Sequence, residues 1–326
     1  MMSTAQQHQT EDTLAQINKR TGRNMPQAIA TSVILIAVIV ACLLISIDAF
    51  IVLIIAFMSL ALWELRVDFA TVGLHIPVVL LWICSTVTLL ATYYAHWHLV
   101  TAALCIMISL VLVVLFATLK LNFGTRVSMA VANKVANTDA KARLESSFNH
   151  DRAEHFHSRF SHVAVSVFTV LYIPLLASCI VISLTFNNHP VAHAITLVFL
   201  PALSDTGGLL AGAWLGRHKL SPRISPKKSV EGLIGSMLFA MAGAFAVFAV
   251  TYSDRWSTLW WVPILTGILV GVVGTFGDLC ASMLKRDIGI KDMGHLLEGH
   301  GGVIDRVDSI LLTAPFLTAL LWVTGM

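Results

Sequence analysis

Residues 258–284 read TLWWVPILTGILVGVVGTFGDLCASML, a run in which Asp278 is the one charge. A helix rising 1.5 Å per residue needs roughly 20 apolar residues to cross a hydrocarbon core about 30 Å thick. This run is long enough to cross and too apolar to stand in water. Outward from it lie eight more apolar runs, near 27–47, 49–66, 70–94, 97–119, 162–186, 191–214, 229–252 and 308–325. The pattern predicts an all-α, polytopic helical membrane protein with about nine transmembrane helices. Composition agrees: 57% of the 326 residues are hydrophobic and 12% are charged. Soluble domains sit near 45–50% and about 25%. The formal net charge of +3 also excludes the concentrated basic excess of a nucleic-acid binder.

The few charges are unevenly placed. With the N-terminus in the cytoplasm, 20 of the 21 Lys and Arg fall on inner segments, and only Asp48, Asp254 and Arg255 lie outside. The reverse orientation breaks the positive-inside rule almost completely. Nine spans then put the C-terminus outside. Tyr93, Tyr94 and Trp97, with Trp256, Trp260 and Trp261, suit an outer aromatic belt. The first apolar run starts too late and runs too long for a cleavable signal, and reads as a signal anchor. Cys42, Cys84, Cys105, Cys179 and Cys280 all fall in apolar runs without CxxC pairing, which suggests packing rather than zinc or disulfides.

Residues 120–161 spread seven bases among alanines and apolar residues, as amphipathic helices on an anionic membrane surface do. The segment includes the pair His155 and His157, but no cysteine stands at ligand spacing from them.

Charges inside spans are costly and mark function by default. Asp205, in Ser204-Asp205-Thr206-Gly207-Gly208, and Asp278 both sit beside glycines, and together they point to a shared hydrophilic cavity. The richest segment follows: KRDIGIKDMGHLLEGHGGVIDRVD, from Lys285 to Asp308, with four bases and five acids in 24 residues. Asp278, Ser282 and Lys285 share a helix face at i, i+4 and i+7, and Asp305 and Asp308 share another at i, i+3. Gly299, Gly301 and Gly302 around His300 let backbone amides approach an anion. The run then enters a helix N-terminus, where the dipole favours phosphate. Paired carboxylates suit Mg²⁺, and the bases suit phosphate oxygens. The loop from Gly216 to Ser229 adds five bases, no acid and two prolines, a rigid basic surface.

At these residues the chain resembles the bacterial phosphatidate cytidylyltransferases, or CDP-diacylglycerol synthases. Their signature is matched in spacing by Ser282, Lys285-Arg286, Lys291-Asp292, Gly294, His300-Gly301-Gly302, Asp305-Arg306 and Asp308. Asp205–Gly207 and Ser225–Gly232 match two further elements. The chain departs from the family pattern at Glu298, Ala281 and Val230, which replace a usual Pro, Glu and aromatic.

The resemblance implies a Mg²⁺-dependent reaction of CTP with phosphatidate, giving CDP-diacylglycerol and pyrophosphate at the cytoplasmic edge of the cell membrane. A second cation is left open. It implies Asp278 and Asp305 as metal holders with Asp308 in support. Lys285, Arg286, Lys291 and Arg306 would neutralise phosphates, and His300, Gly301 and Gly302 would shape an anion cradle. Lys219, Lys227 and Lys228 would face nucleotide or headgroup, with Asp205, Ser282 and Asp292 completing the substrate site. Family precedent leans to a homodimer, and Gly267, Gly271 and Gly274 offer a close-packing face within or between chains.

The chain then divides into a polar, disordered cytoplasmic tail (1–26), N-terminal transmembrane helices (27–119), the cytoplasmic amphipathic segment (120–161) and a catalytic transmembrane region (162–326). The residues leave two alternatives: a CTP-dependent transferase for another lipid phosphate, or an ion-coupled transporter using Asp205 and Asp278.

Overall fold

The computed structural model describes residues 25–118, 159–186, 189–222, 224–290, 293 and 302–326. The predicted tail, but for its last two residues, and all but the end of the amphipathic segment lie outside the described residues. So do Lys291, Asp292, His300 and Gly301.

The apolar runs become helices: α1 (Met25–Ile45), α2 (Ile47–Thr71), α3 (Val78–Tyr94), α4 (His98–Thr118), α5 (Arg159–Val170), α6 (Leu176–Leu184), α7 (Pro190–Leu215), α8 (Val230–Thr251), α9 (Val262–Ile288) and α10 (Ile304–Thr324). A π-helical turn, Leu171–Leu175, joins α5 to α6 into one long rod. Its cause is Pro174, which has no N–H to donate and whose ring crowds the preceding turn. Among the described residues, seven helical segments are long and apolar enough to cross a membrane, while Thr31–Ile45 and Val78–Tyr94 are shorter apolar helices. The nine apolar runs are therefore all helical, but length and hydropathy qualify seven.

Two boundaries move. The helix expected over 49–66 continues to Thr71 and carries Glu64, Arg66 and Asp68 into the packed interior. The next helix starts at Val78 rather than near residue 70. The break between α1 and α2 is a single residue, Ser46, whose hydroxyl accepts from the Ala49 amide at 3.0 Å and so caps α2.

The ends of the bundle separate cleanly. At one, Tyr94 donates to Asp48 at 2.8 Å and the Arg255 guanidinium donates to the Gly325 carbonyl at 2.7 Å. The charged cluster built by α2, α7, α9 and α10 is set toward the other.

Packing style changes along the chain. Helix α4 buries Ala102, Ile106, Ser109 and Val113, one narrow stripe at helical spacing, and turns Leu104, Met107, Ile108 and Val111 outward. Helices α7, α8 and α9 instead meet through glycine. A Cβ on Gly207 would come within 2.5 Å of Phe239, and one on Gly267 or Gly271 would press on the Met241 or Met237 backbone. The glycines beside Asp205 thus let α7 and α8 approach closely. The Gly267–Gly271 face is used inside the chain.

The loop after α7 is a β-hairpin, the one sheet among the described residues. Strand β1 (Lys219–Ser221) pairs antiparallel with β2 (Ser225–Ser229), with Lys219 opposite Ser229 and Ser221 opposite Ser225.

Candidate active site

Four carboxylates from three helices meet below the hairpin. Neither Asp205 in α7 nor Asp278 in α9 interrupts its helix. Asp278 lies ten residues before the end of α9, about 15 Å into the bundle at 1.5 Å per residue. Its charge is met from outside the helix: Lys228 of β2 reaches Asp278 Oδ2 at 2.7 Å and also donates to the Thr275 carbonyl at 3.0 Å. Ser282, one turn on, is 3.5 Å from Asp278 Oδ1.

One turn further, Lys285 pairs with Asp305 of α10 at 2.7 Å, with side chains only 13% and 7% exposed. The Met293 amide takes the other Asp305 oxygen at 3.2 Å. That contact depends on a chain reversal at the end of α9. Gly289 adopts φ 81°, a left-handed conformation that glycine reaches without a Cβ penalty. Its amide and that of Ile290 return to the Lys285 carbonyl.

Asp308 is 3% exposed. Its Oδ1 accepts from the Ser309 amide at 2.7 Å, and the Ser309 hydroxyl lies 3.5 Å from both Asp308 Oδ1 and Asp205 Oδ1. Asp308 is within electrostatic reach of Asp205, Asp278 and Asp305, Asp205 is within reach of Asp278, and Lys228 and Arg306 attract Asp205. The site is therefore an acid cluster laced with bases.

The remaining expected residues divide. Arg286 is exposed at the end of α9 and Lys219 is exposed on β1. Lys227 lies on β2, with its side chain outside the description. Gly302 is buried beneath the Met293 carbonyl, and a Cβ there would collide with it and come within 2.7 Å of Glu64 Oε2. The hairpin is anchored by Glu231 at the start of α8, which accepts from the Arg217 amide at 3.1 Å and the His218 ring at 2.7 Å. Ser229 caps the same helix by accepting from the Gly232 amide at 3.1 Å. The Ser-Pro-Lys-Lys-Ser-Val-Glu-Gly element is thus a brace that aims Lys228 at Asp278.

Two participants escaped the sequence reading. Glu64, only 1% exposed, accepts from the Ile304 amide at 3.0 Å, 240 residues away in the chain. A charge near the end of an apolar run, inside a helix expected to end at 66, was the available signal. Tyr172, on the π turn, has a buried hydroxyl without a hydrogen-bond partner among the described residues. It lies within electrostatic reach of Asp308, Asp305 and Asp278. Spacing rules written for α-helices place a π-turn side chain on the wrong face.

Carboxylate oxygens are the donors a hard divalent cation takes, and this cluster supplies them. Among the described residues no three metal-type side chains converge as a ligand group. A cation here would draw on one or two carboxylates and complete its shell from water and phosphate, the usual habit of Mg²⁺.

Comparison with known proteins places these features in a family. The sequence model of the cytidylyltransferase family matches residues 26–324. A phosphatidate cytidylyltransferase of Synechocystis sp. is 40% identical over 137 residues, which cover 40% of this chain and 44% of the relative. One from Mycobacterium bovis is 37% identical over 156 residues, covering 47% and 49%, and one from Staphylococcus saprophyticus is 40% identical over 130 residues, covering 40% and 49%. The chain spans just under half the length of these curated relatives.

Proposed function

The chain belongs to the cytidylyltransferase family, and from that premise we propose that it is a CTP:phosphatidate cytidylyltransferase of the bacterial cell membrane. Its products would be CDP-diacylglycerol and pyrophosphate. The observation that carries this reading is the cluster of Asp205, Asp278, Asp305 and Asp308 with Lys228 and Lys285, placed toward one end of an apolar bundle. The names of the relatives support the substrate pair.

In this reading a phosphate oxygen of phosphatidate attacks the α-phosphorus of CTP. A new P–O bond forms, the bond from the α-phosphorus to the bridging oxygen breaks, and pyrophosphate leaves with that electron pair. The attacking phosphate is already ionised at neutral pH, so no side chain need act as general base. What the protein must supply is alignment and charge neutralisation. Lys228 and Lys285, held in place by Asp278 and Asp305, would turn to phosphate oxygens as substrate enters. Arg286 and Lys219, exposed at the rim, would meet the outer phosphates or the headgroup. The lipid tails would lie against apolar helix faces.

Mg²⁺ belongs to this proposal, held by Asp278 and Asp305 with Asp308 beside them; when bound it would neutralise charge on the transferring phosphate. Of the two, Asp278 is the more open, at 39% side-chain exposure against 7%. A cytoplasmic site, with the N-terminus inside and the C-terminus outside, follows from the positive-inside count. A homodimer is the expected assembly, checked by the mass of the detergent-solubilised protein.

The test is direct. Purified protein should convert labelled CTP into a lipid-soluble product with phosphatidate and Mg²⁺, and not without either. No turnover by the wild-type protein defeats the reading. A preference for another lipid phosphate moves it to a sister transferase.

A further inference from the structure

The N-terminus of α10 is where sequence alone directs a substrate phosphate, yet the protein already places a carboxyl group there. The Ile304 amide donates to Glu64 Oε2 at 3.0 Å, and the Val303 amide also supports this carboxylate. Among the described residues, the segment leading into α10 supplies no side-chain cap. Val303, at the cap position, is itself helical at φ −63° and offers no side-chain oxygen. The first amides of a helix lack intrahelical partners, and a negative charge placed among them is stabilising.

Two further facts show that the contact is built in. Gly302 has no room for a Cβ between the Met293 carbonyl and Glu64, so the chain entering α10 passes directly over the glutamate. Glu64 is also a buried carboxyl group in an apolar helix, a costly placement without a compensating interaction. The turn it holds carries Asp305, paired with Lys285, and leads to Asp308 beside Asp205.

We infer that Glu64 is a positioning residue: it caps α10 from the N-terminal half of the chain, sets the register of Asp305 and Asp308, and keeps substrate phosphate off that helix end. Phosphates are thereby directed to the lysine side, around Lys228 and Lys285. The kinetic arm of the test rests on the transferase reading, whereas the melting arm does not.

The experiment compares full-length wild type, Glu64→Ala and Glu64→Gln in detergent, with sodium formate or sodium chloride at equal ionic strength. Formate is the probe because a small carboxylate fits the space that alanine vacates and can accept from the freed amides. Glu64→Ala should melt several degrees lower, and formate, but not chloride, should recover at least about half of that shift while leaving wild type unchanged; loss of a cap and a buried contact justifies a shift on this scale. Turnover of Glu64→Ala should fall on the order of 10²-fold in kcat, the scale expected of a misplaced catalytic group, with KM for CTP within about threefold. Formate should raise that kcat as well. Glu64→Gln keeps an acceptor oxygen and should stay within about threefold of wild type in kcat, since a neutral cap preserves most of the interaction.

Wild-type melting and turnover in Glu64→Ala overturn the inference. So does a rise in KM for CTP of about tenfold with kcat preserved, which would make Glu64 a substrate contact. If Glu64→Ala does not accumulate, Glu64→Gln decides: near-wild-type kcat supports capping, and a loss matching that of Asp305→Asn overturns it. An inactive wild type counts against the transferase reading alone, because formate-dependent melting still tests the cap.

Discussion

Helices α1–α4 and helices α7–α10 are all apolar, yet they meet their neighbours by different means. The later helices approach through glycine. Gly207, Gly208 and Gly212 face Gly235, Ser236 and Gly232 in turn, and Gly267 and Gly271 take Met241 and Met237, so backbones lie close. Helix α4 instead touches its neighbours along one narrow stripe that carries no glycine, Ala102, Ile106, Ser109 and Val113, and exposes the rest. Close glycine packing brings Asp205, Asp278 and Asp308 from separate helices into one cluster. Looser packing leaves an outer surface suited to lipid, with one exception: α2 is buried on every side from Ala61 to Leu62 and from Glu64 to Thr71, and it contributes Glu64. The comparison shows that a protein can assemble its chemistry in one half and take the support for a decisive helix end from the other.

The largest effect should come from breaking the acid cluster. Asp305→Asn and Asp278→Asn should each reduce cytidylyl transfer by about 10³-fold or more, an electrostatic loss of roughly 4 kcal/mol, measured as lipid-soluble label from CTP. Turnover within tenfold of wild type in either variant would remove that residue from the metal assignment.

Next in size, Gly302→Ala should lower the melting temperature and cut activity more than tenfold, because its Cβ meets a backbone carbonyl that has little room to yield. Overpacking of this kind costs about 1–3 kcal/mol. Val111→Ala, on an α4 position that is 63% exposed, should change stability by less than about 0.5 kcal/mol. Equal losses in the two variants, read by thermal melting in detergent, would erase the distinction between the halves.

Tyr172→Phe sharpens the comparison at the π turn. Removing a buried hydroxyl without a partner among the described residues should leave stability unchanged or raise it by about 1 kcal/mol. Turnover should nevertheless drop several-fold if the phenol meets substrate beside Asp308. Unchanged kcat and KM would make Tyr172 a packing residue.

The smallest effect belongs to Lys219→Ala. Lys219 is exposed on β1, so its contribution should be a modest rise in KM that fades as salt screens it. A salt-independent loss of kcat would place it inside the site.

Much of this was legible in residues alone. Runs of about 20 apolar residues between polar segments leave few folds besides a helical membrane bundle, because backbone amides in hydrocarbon must be satisfied within their own segment. The helix-face argument for Asp278, Ser282 and Lys285 also holds, since 3.6-residue periodicity is local; in the structure Ser282 meets Asp278, and Lys285 continues along that face to Asp305. The basic loop reads as a rigid surface, and in the structure it is a hairpin that sets Lys228 on Asp278. That pairing joins positions 50 residues apart, and no spacing rule reaches across two helices.

What the sequence by itself determined is the class of protein, the order of its helices and the identity of the charged residues near its site, because hydropathy and helical periodicity act over short stretches of chain. Tertiary structure alone decided which carboxylate takes which lysine and that Tyr172, on a π turn, comes within electrostatic reach of the acids. It also decided that the group at the start of α10 is the Glu64 carboxyl. Each of these depends on separate helices packing together, and the depth of that packing follows from glycines whose effect appears only once their partners are in place.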